Sequence, residues 1–156
     1  MKFICDEMLG TLAKWLRILG YDTVYVKNID DEKIMEIAEK EKRVVLTRDR
    51  LLARKAKESL YIEERKLEKQ IEKVFEHFNL KIEVDKILSR CTICNVIVIP
   101  IKKEEIREKV PEHVWLNHEK FWICPKCKRV YWVGSHWNNM EDKIKNILKI
   151  YQSFPL

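Results

Sequence analysis

Hydrophobic residues in the first half of the chain follow two spacings, one typical of short strands and one typical of helices. Apolar runs at residues 2–5, 23–26, 44–47 and 60–62 predict strands, and between these runs apolar residues recur every three or four positions, as they do in helices. Strands that alternate with helices form βαβ units. Residues 1–84 are therefore predicted to be an α/β domain with a mostly parallel sheet.

The second half of the chain has shorter apolar stretches and predicts a small ribbon over residues 88–137. A charged segment inside this ribbon, residues 102–120, is predicted to loop out. Residues 138–156 are predicted to contain a C-terminal helix, whose apolar face suits packing on the first domain. The ribbon strands are predicted near residues 96–101, 121–123 and 130–133.

Four cysteines in the ribbon form two pairs, Cys91 with Cys94 and Cys124 with Cys127, separated by 29 residues. A spacing of two residues lets one tight turn direct both thiolates at one ion, and two such turns close a structural zinc site. The alternatives are two disulfides or four unrelated thiols. Because no segment resembles a signal peptide, we expect a cytoplasmic location, where thiols stay reduced, and we predict Zn²⁺. Four protein ligands leave no position for an activated water, so any chemistry is expected elsewhere.

Composition limits the classes of partner. No apolar run approaches the length that spans a bilayer, so no membrane partner is expected. The formal net charge is +6, and most of it lies in residues 88–156. This modest basic surface is consistent with RNA as a partner but does not identify RNA.

Acidic residues follow three of the predicted strands. Asp6 follows the first strand, Asp30 and Asp31 follow the second, and Asp49 follows the third. The carboxyl ends of parallel strands meet at one edge of a sheet, where open α/β sheets bind ligands. Clustered carboxylates repel each other unless a hard cation neutralises them, and Mg²⁺ or Mn²⁺ prefers oxygen ligands. The alternative is that each aspartate only caps a helix, and Asp30 is the clearest candidate for a cap alone.

Longer motifs resemble known families. The run Asp31-x-x-Ile34-x-x-x-Ala38, followed by Thr47-x-Asp49, resembles the C-terminal half of PIN-domain ribonucleases, and its spacing selects Asp31 over Asp30. The whole chain resembles the Mut-seven C-terminal (Mut7-C) ribonuclease family, which joins a PIN-like domain to a zinc ribbon. The motifs that carry this second resemblance are Phe3-x-x-Asp6, Leu12-Ala13-Lys14-Trp15-Leu16-Arg17, Arg90-Cys91-x-x-Cys94 and Cys124-Pro125-x-Cys127.

The resemblance implies hydrolysis of RNA that depends on Mg²⁺ or Mn²⁺, with Asp6, Asp31 and Asp49 as the catalytic acids. Ordinary PIN domains carry a further acid in an inserted helical segment after the first strand. That segment is missing here, because only 23 residues separate Asp6 from Asp30. Glu7 or Asp30 is therefore the expected auxiliary acid.

Basic residues near the acids and the cysteines are candidates for RNA contacts, and for each the alternative is a solvated or ion-paired face. The functional alternative to a ribonuclease is a non-catalytic module that binds RNA, the ribosome or another ribonucleoprotein. The candidate RNA-binding residues are Lys14, Arg17, Arg48, Arg50, Lys126, Lys128, Arg129 and His136.

Overall fold

A computed structural model describes residues 1–148, without the side chains of residues 135–138 and 148. The chain divides into two units, Met1–Leu88 and Ser89–Leu156. Among the described residues, no helix combines the length and the apolar composition needed to cross a membrane. The predicted boundaries 1–84, 88–137 and 138–156, and the packing of the last helix, stay predictions.

The first unit contains a four-stranded sheet in which all neighbouring strands are parallel. The central strands β1 and β3 are almost entirely buried, as expected for a parallel sheet covered on both faces. The α/β class with a parallel sheet is therefore confirmed, whereas the PIN-like assignment stays a prediction. The strands are β1 (Lys2–Cys5), β2 (Asp22–Tyr25), β3 (Val44–Thr47) and β4 (Ser59–Tyr61), in the order β2-β1-β3-β4.

Helices cover both faces of this sheet. On one face, Ile4 and Val45 pack with Ile34, Ala38 and Leu52 of the second and third helices. Neighbouring residues of a strand point to opposite faces, so Phe3 points the other way, where its ring lies 5.7 Å from that of Phe78. The helices are α1 (Gly10–Ile18), α2 (Asp31–Glu41), α3 (Arg50–Lys55) and α4 (Leu67–Phe78).

A buried arginine ties together the amino ends of the strands. Arg43 precedes β3, and its Nη1 donates to the carboxylate of Asp22 at 2.7 Å and to the carbonyl of Phe3 at 3.2 Å. Its Nε donates to Glu41 at 2.8 Å. Burial opposes the charge, but these hydrogen bonds outweigh burial and raise the pKa of Arg43. The Arg43 side chain and its partners therefore fill the space at the amino ends of the strands, so a functional site is expected at the carboxyl ends.

The second unit holds a three-stranded antiparallel sheet. Residues 102–120 do not loop out, so that prediction is wrong. Ile106 is fully buried, and with Val110 and Val114 it packs on Phe121 of the sheet. These three residues lie four apart, which brings them to one side of the segment despite its charge. The elements are β5 (Ile99–Ile101), α5 (Glu112–Asn117), β6 (Phe121–Ile123), β7 (Val130–Tyr131) and α6 (Ser135–Leu148).

Candidate functional site

The four paired cysteines converge on one point. Their Sγ atoms all lie within 4.8 Å of one another, and those of Cys91 and Cys127 are 3.7 Å apart. Zn–S bonds of about 2.3 Å in a tetrahedron give sulfur separations of about 3.8 Å, whereas a disulfide needs about 2.05 Å. All five cysteines of the chain are free thiols. The four cysteines Cys91, Cys94, Cys124 and Cys127 therefore fit a structural zinc ion and not disulfides.

The two cysteine turns have the same local geometry. In each turn the backbone N–H of the second cysteine points at the sulfur of the first, at 3.3 Å in Cys94–Cys91 and 3.4 Å in Cys127–Cys124. The next residue, Asn95 or Lys128, adopts a left-handed backbone with φ of 66° or 65°. This conformation closes each turn, because the N–H of Asn95 and of Lys128 then reaches the carbonyl of the first cysteine at 2.9 Å.

Tyr131 contacts the cysteine cluster from β7. Its hydroxyl donates to Sγ of Cys91 at 3.1 Å and accepts from the backbone N–H of Thr92 at 3.2 Å. Burial opposes ionisation of Cys91, but the hydrogen bonds from Tyr131 and from the N–H groups of Cys94 and Ile93 lower its pKa to about 6. No local pattern in the sequence indicates this contact, because Tyr131 and Cys91 lie 40 residues apart.

Asp6 connects the carboxyl ends of the two central strands. It follows β1 and is only 8% exposed. Its Oδ2 accepts hydrogen bonds from the Thr47 hydroxyl and, at 3.0 Å, from the N–H of Arg48, both at the end of β3. Its Oδ1 accepts from the N–H of Met8 at 3.0 Å. These contacts fix the carboxylate at the edge where β1 and β3 end.

Asp49 and Asp30 both cap helices. Oδ1 of Asp49 accepts from the N–H of Leu51 at 2.8 Å and of Leu52 at 3.2 Å, at the start of α3. Oδ1 of Asp30 accepts from Lys33 at 2.8 Å, at the start of α2. The N–H of Asp49 also donates to the Thr47 hydroxyl at 2.9 Å. One threonine side chain therefore links the Asp6 carboxylate to the backbone of Asp49.

Asp31 is the first residue of α2, and the charge of Asp49 acts on its carboxyl group. Partial burial is the largest cause that raises the pKa of Asp31, and the charges of Asp49, Glu32 and Asp30 add to it against the opposing effect of Lys55. Among the described side chains, the cysteines are nevertheless the only group of three or more His, Cys, Asp or Glu whose ligand atoms are close enough to hold an ion. In this arrangement the carboxylates of Asp6, Asp31 and Asp49 do not form a second such group.

The predicted RNA-binding residues differ in how exposed they are to solvent. Arg17 is only 9% exposed and its Nε donates to the carbonyl of Thr23 at 2.8 Å, which corrects its assignment as a candidate for RNA contacts. Lys14 is exposed, and Arg48 is half-buried beside Asp49. The side chain of His136 lies outside the described residues. The exposed members of the set are Lys14, Arg50, Lys126, Lys128 and Arg129, and Glu7, the expected auxiliary acid, is exposed too.

Comparison with known proteins identifies the family. The Mut7-C RNAse domain model matches residues 1–144. The chain is also 35% identical over 101 residues to the exonuclease mut-7 homolog of Homo sapiens, a match that covers 60% of this chain and 12% of that relative. No solved structure matches the chain significantly. The predicted family is confirmed: the chain belongs to the Mut7-C RNAse domain family, and its function is nuclease-related at the level of that family.

Proposed function

We propose that this chain is a metal-dependent ribonuclease that hydrolyses RNA phosphodiester bonds at the carboxyl edge of its parallel sheet. Asp6, Asp31 and Asp49 would hold Mg²⁺ or Mn²⁺, with Asp30 or Glu7 as the auxiliary acid. The observation that carries this proposal is the link from Asp6 through Thr47 to Asp49, which joins acids from two strands at one edge. The cysteines would hold a separate zinc ion with a structural role.

The acids fit a hard cation by their chemistry. Carboxylate oxygens are the ligands that Mg²⁺ takes in proteins. Partial burial and, after it, the charge of Asp49 raise the pKa of Asp31, and a cation would relieve the repulsion between the two carboxylates. A bound Mg²⁺ or Mn²⁺ supplies an activated water and stabilises charge on a phosphate. Thr47 and the N–H of Arg48 orient Asp6, and the caps orient Asp30 and Asp49.

The proposed substrate is RNA. This rests on the family description as an RNAse domain and on the basic side chains Arg48 and Arg50, which flank Asp49 and suit phosphates near the scissile bond. The relative is described as an exonuclease, which supports a nuclease without fixing the mode of cleavage in this chain.

Asp49→Asn tests the proposal, because asparagine caps a helix as well as aspartate does and the fold should be kept. We expect Mn²⁺-dependent cleavage of single-stranded RNA to fall by more than about 100-fold, beyond the loss typical of outer-shell residues. RNA affinity should stay equal or rise, since one negative charge is removed. The control is Asp85→Asn, the same change at an exposed residue outside the strand ends. Full activity of Asp49→Asn, or parent activity without divalent cations, would contradict the mechanism.

The alternative is a non-catalytic module that binds RNA or a ribonucleoprotein such as the ribosome. It is favoured by one observation: Asp30 and Asp49 cap helices, and the described carboxylates form no group that could hold an ion as they stand. This alternative predicts no cleavage by the parent with any divalent cation. It also predicts that RNA binding weakens when Lys126, Lys128 and Arg129 are neutralised.

A further inference from the structure

Tyr61 ends β4 next to the acidic edge. In the β3–β4 register Tyr61 lies opposite Thr47, the residue whose hydroxyl joins Asp6 and Asp49. Neighbouring strands are about 4.8 Å apart, so the backbone of Tyr61 lies one strand spacing from Thr47. The N–H of Ile62, the next residue, donates to the carbonyl of Thr47 at 2.8 Å, and Ile62 is fully buried. The backbone of Tyr61 is therefore held by the sheet and not by a free loop.

Two cationic side chains lie near the ring of Tyr61. The guanidinium carbon of Arg50 lies 5.3 Å from the ring centroid, and Nε of Arg50 donates to the tyrosine hydroxyl at 3.3 Å. Nζ of Lys73, on α4, lies 6.0 Å from the same centroid. Arg48 extends to the same strand end, where its Nη2 donates to the carbonyl of Glu63 at 3.3 Å.

Arg50 is available to a ligand. Its side chain is 68% exposed, and its acidic neighbour Glu63 is 72% exposed at a distance of 4.0 Å. Such an exposed pair contributes little, so an RNA phosphate or base can replace it at small cost. A cation–π pair on a surface often serves packing alone. Here, however, the pair lies within one strand of the acids and beside a second arginine, Arg48, and sites for single-stranded RNA combine aromatic rings with arginine in this way.

We propose that Tyr61, with Arg48 and Arg50, forms a subsite that stacks one unpaired base of RNA beside the acidic edge. The position relative to the scissile bond rests on the proposed function, whereas the binding itself does not. A base in a duplex is already stacked and paired, and therefore cannot enter. The subsite thus makes the protein select single-stranded over double-stranded RNA.

The test is binding of a fluorescein-labelled twelve-nucleotide oligouridine, measured by fluorescence anisotropy without added divalent cations so that no cleavage accompanies binding. Tyr61→Leu should weaken affinity about tenfold, the order expected for loss of one stacked base, and Tyr61→Phe should stay within about twofold of the parent. Arg50→Ala should reduce the slope of log affinity against log salt by about 0.7. The matched control is Lys57→Ala, which removes an exposed cation at the other end of β4 and should leave both quantities unchanged.

Duplex RNA separates stacking from general attraction to phosphates. The parent should bind a labelled adenosine–uridine duplex more weakly than oligouridine, and Tyr61→Leu should not weaken duplex binding further. The subsite is overturned if the parent fails to bind oligouridine, if Tyr61→Leu binds oligouridine like the parent, or if Lys57→Ala weakens binding as much as Tyr61→Leu and Arg50→Ala do. Thermal unfolding of each variant shows whether a loss reflects the fold, and Arg50→Ala, at an exposed position, keeps the test independent of Tyr61 packing.

Failure of this subsite and failure of the proposed nuclease have different signatures. A parent that binds as expected but cleaves nothing with Mn²⁺ retains the subsite and refutes the catalytic proposal. A parent that cleaves, with Tyr61→Leu changing neither affinity nor KM, refutes the subsite and retains catalysis.

Discussion

Thr47 is the residue on which the acidic edge depends most. It is completely buried at the end of β3, and its single hydroxyl both donates to Asp6 and accepts from the N–H of Asp49. A hydroxyl has one hydrogen to donate, so this pattern fixes its orientation. Valine has a similar shape and lacks both contacts, which leaves the Asp6 carboxylate and the Asp49 amide short of a partner.

Thr47→Val should therefore lower the free energy of unfolding by about 1–3 kcal/mol and also weaken Mn²⁺-dependent cleavage of RNA. The control is Thr23→Val, since Thr23 is equally buried and its hydroxyl donates to the carbonyl of Tyr21 at 3.1 Å, near the amino end of β2. Urea unfolding and an RNA cleavage assay measure the two effects. If both variants lose stability and cleavage in parallel, the hydroxyl of Thr47 has no role specific to the acids.

Tyr131 supports the cysteine cluster by one hydrogen bond, and its removal should loosen the zinc. A donor to a thiolate withdraws charge from the sulfur and orients it, and such outer-shell contacts typically change metal affinity by about 10–100-fold. Tyr131→Phe should therefore release zinc faster to the chromogenic chelator 4-(2-pyridylazo)resorcinol. Tyr25→Phe removes a hydroxyl that donates to the carbonyl of Glu7 in the first unit, and should release zinc at the parent rate. Equal release by the two variants would mean that the Tyr131 contact does not stabilise the bound ion.

At the scale of elements, an ion pair joins α4 to the segment that follows β4. The charged groups of Glu64 and Lys73 lie 3.1 Å apart, and both side chains are half-buried. Burial opposes the charge of Glu64, but hydrogen bonds from backbone N–H groups and from Lys73 outweigh it and lower the pKa of Glu64 below its ordinary 4.5. A carboxyl group with a lowered folded-state pKa stabilises the fold above its unfolded pKa. This stabilisation is lost as the pH falls through the folded pKa.

Glu64→Gln should thus lower the free energy of unfolding by about 0.5 kcal/mol at pH 7, and the difference from the parent should shrink towards zero as the pH falls below 4.5. Urea unfolding at pH 7 and at pH 3 measures the change. Glu36→Gln breaks the more exposed pair with Lys33 and should have a smaller effect at pH 7. A difference between Glu64→Gln and the parent that persists at pH 3 would assign the effect to packing and not to charge.

The elements that sequence predicts well are those whose signal is local. Residues 2–5 and 44–47 read as strands because apolar side chains follow one another without interruption, and both are strands in the structure. The packing of residues 102–120 was missed because charged residues outnumber Ile106, Val110 and Val114 in that segment. Caps at Asp30 and Asp49 follow from position alone. The contact of Tyr131 with Cys91 and that of Arg50 with Tyr61 join residues distant in sequence, and no local pattern reports such a contact.

At the scale of the whole molecule, each of the two units has its own buried residues, but the interactions that stabilise the two units differ. The first unit packs helices on both faces of a buried sheet. The second has short strands, two of three residues and one of two, and the cysteine cluster is part of its core, where Cys91 and Cys124 pack with Val98. Small domains with so little core commonly need a metal to fold.

Removal of zinc should therefore unfold the second unit and leave the first largely intact. In hydrogen exchange measured by mass spectrometry, Cys124→Ser should lose protection in residues 89–148 while residues 1–88 keep theirs. Cys5→Ala removes a thiol from β1, outside the cluster, and should retain one zinc per chain by elemental analysis. Protection retained in both units of a zinc-free protein would show that the metal is dispensable for folding.

The central position of β1 also affects the order of events during synthesis. Lys2–Cys5 pairs with β2 on one side and with Val44–Thr47 on the other, so this strand emerges from the ribosome well before its second partner emerges. At roughly 5–20 residues per second, the interval lasts about 2–8 s, long compared with chain collapse. During that time Phe3 and Ile4 are open to wrong partners or to a chaperone. Asp6 acquires its contact with Thr47 only when β1 pairs with β3, so a nascent chain in which this pairing fails would lack the arrangement of acids at the carboxyl edge.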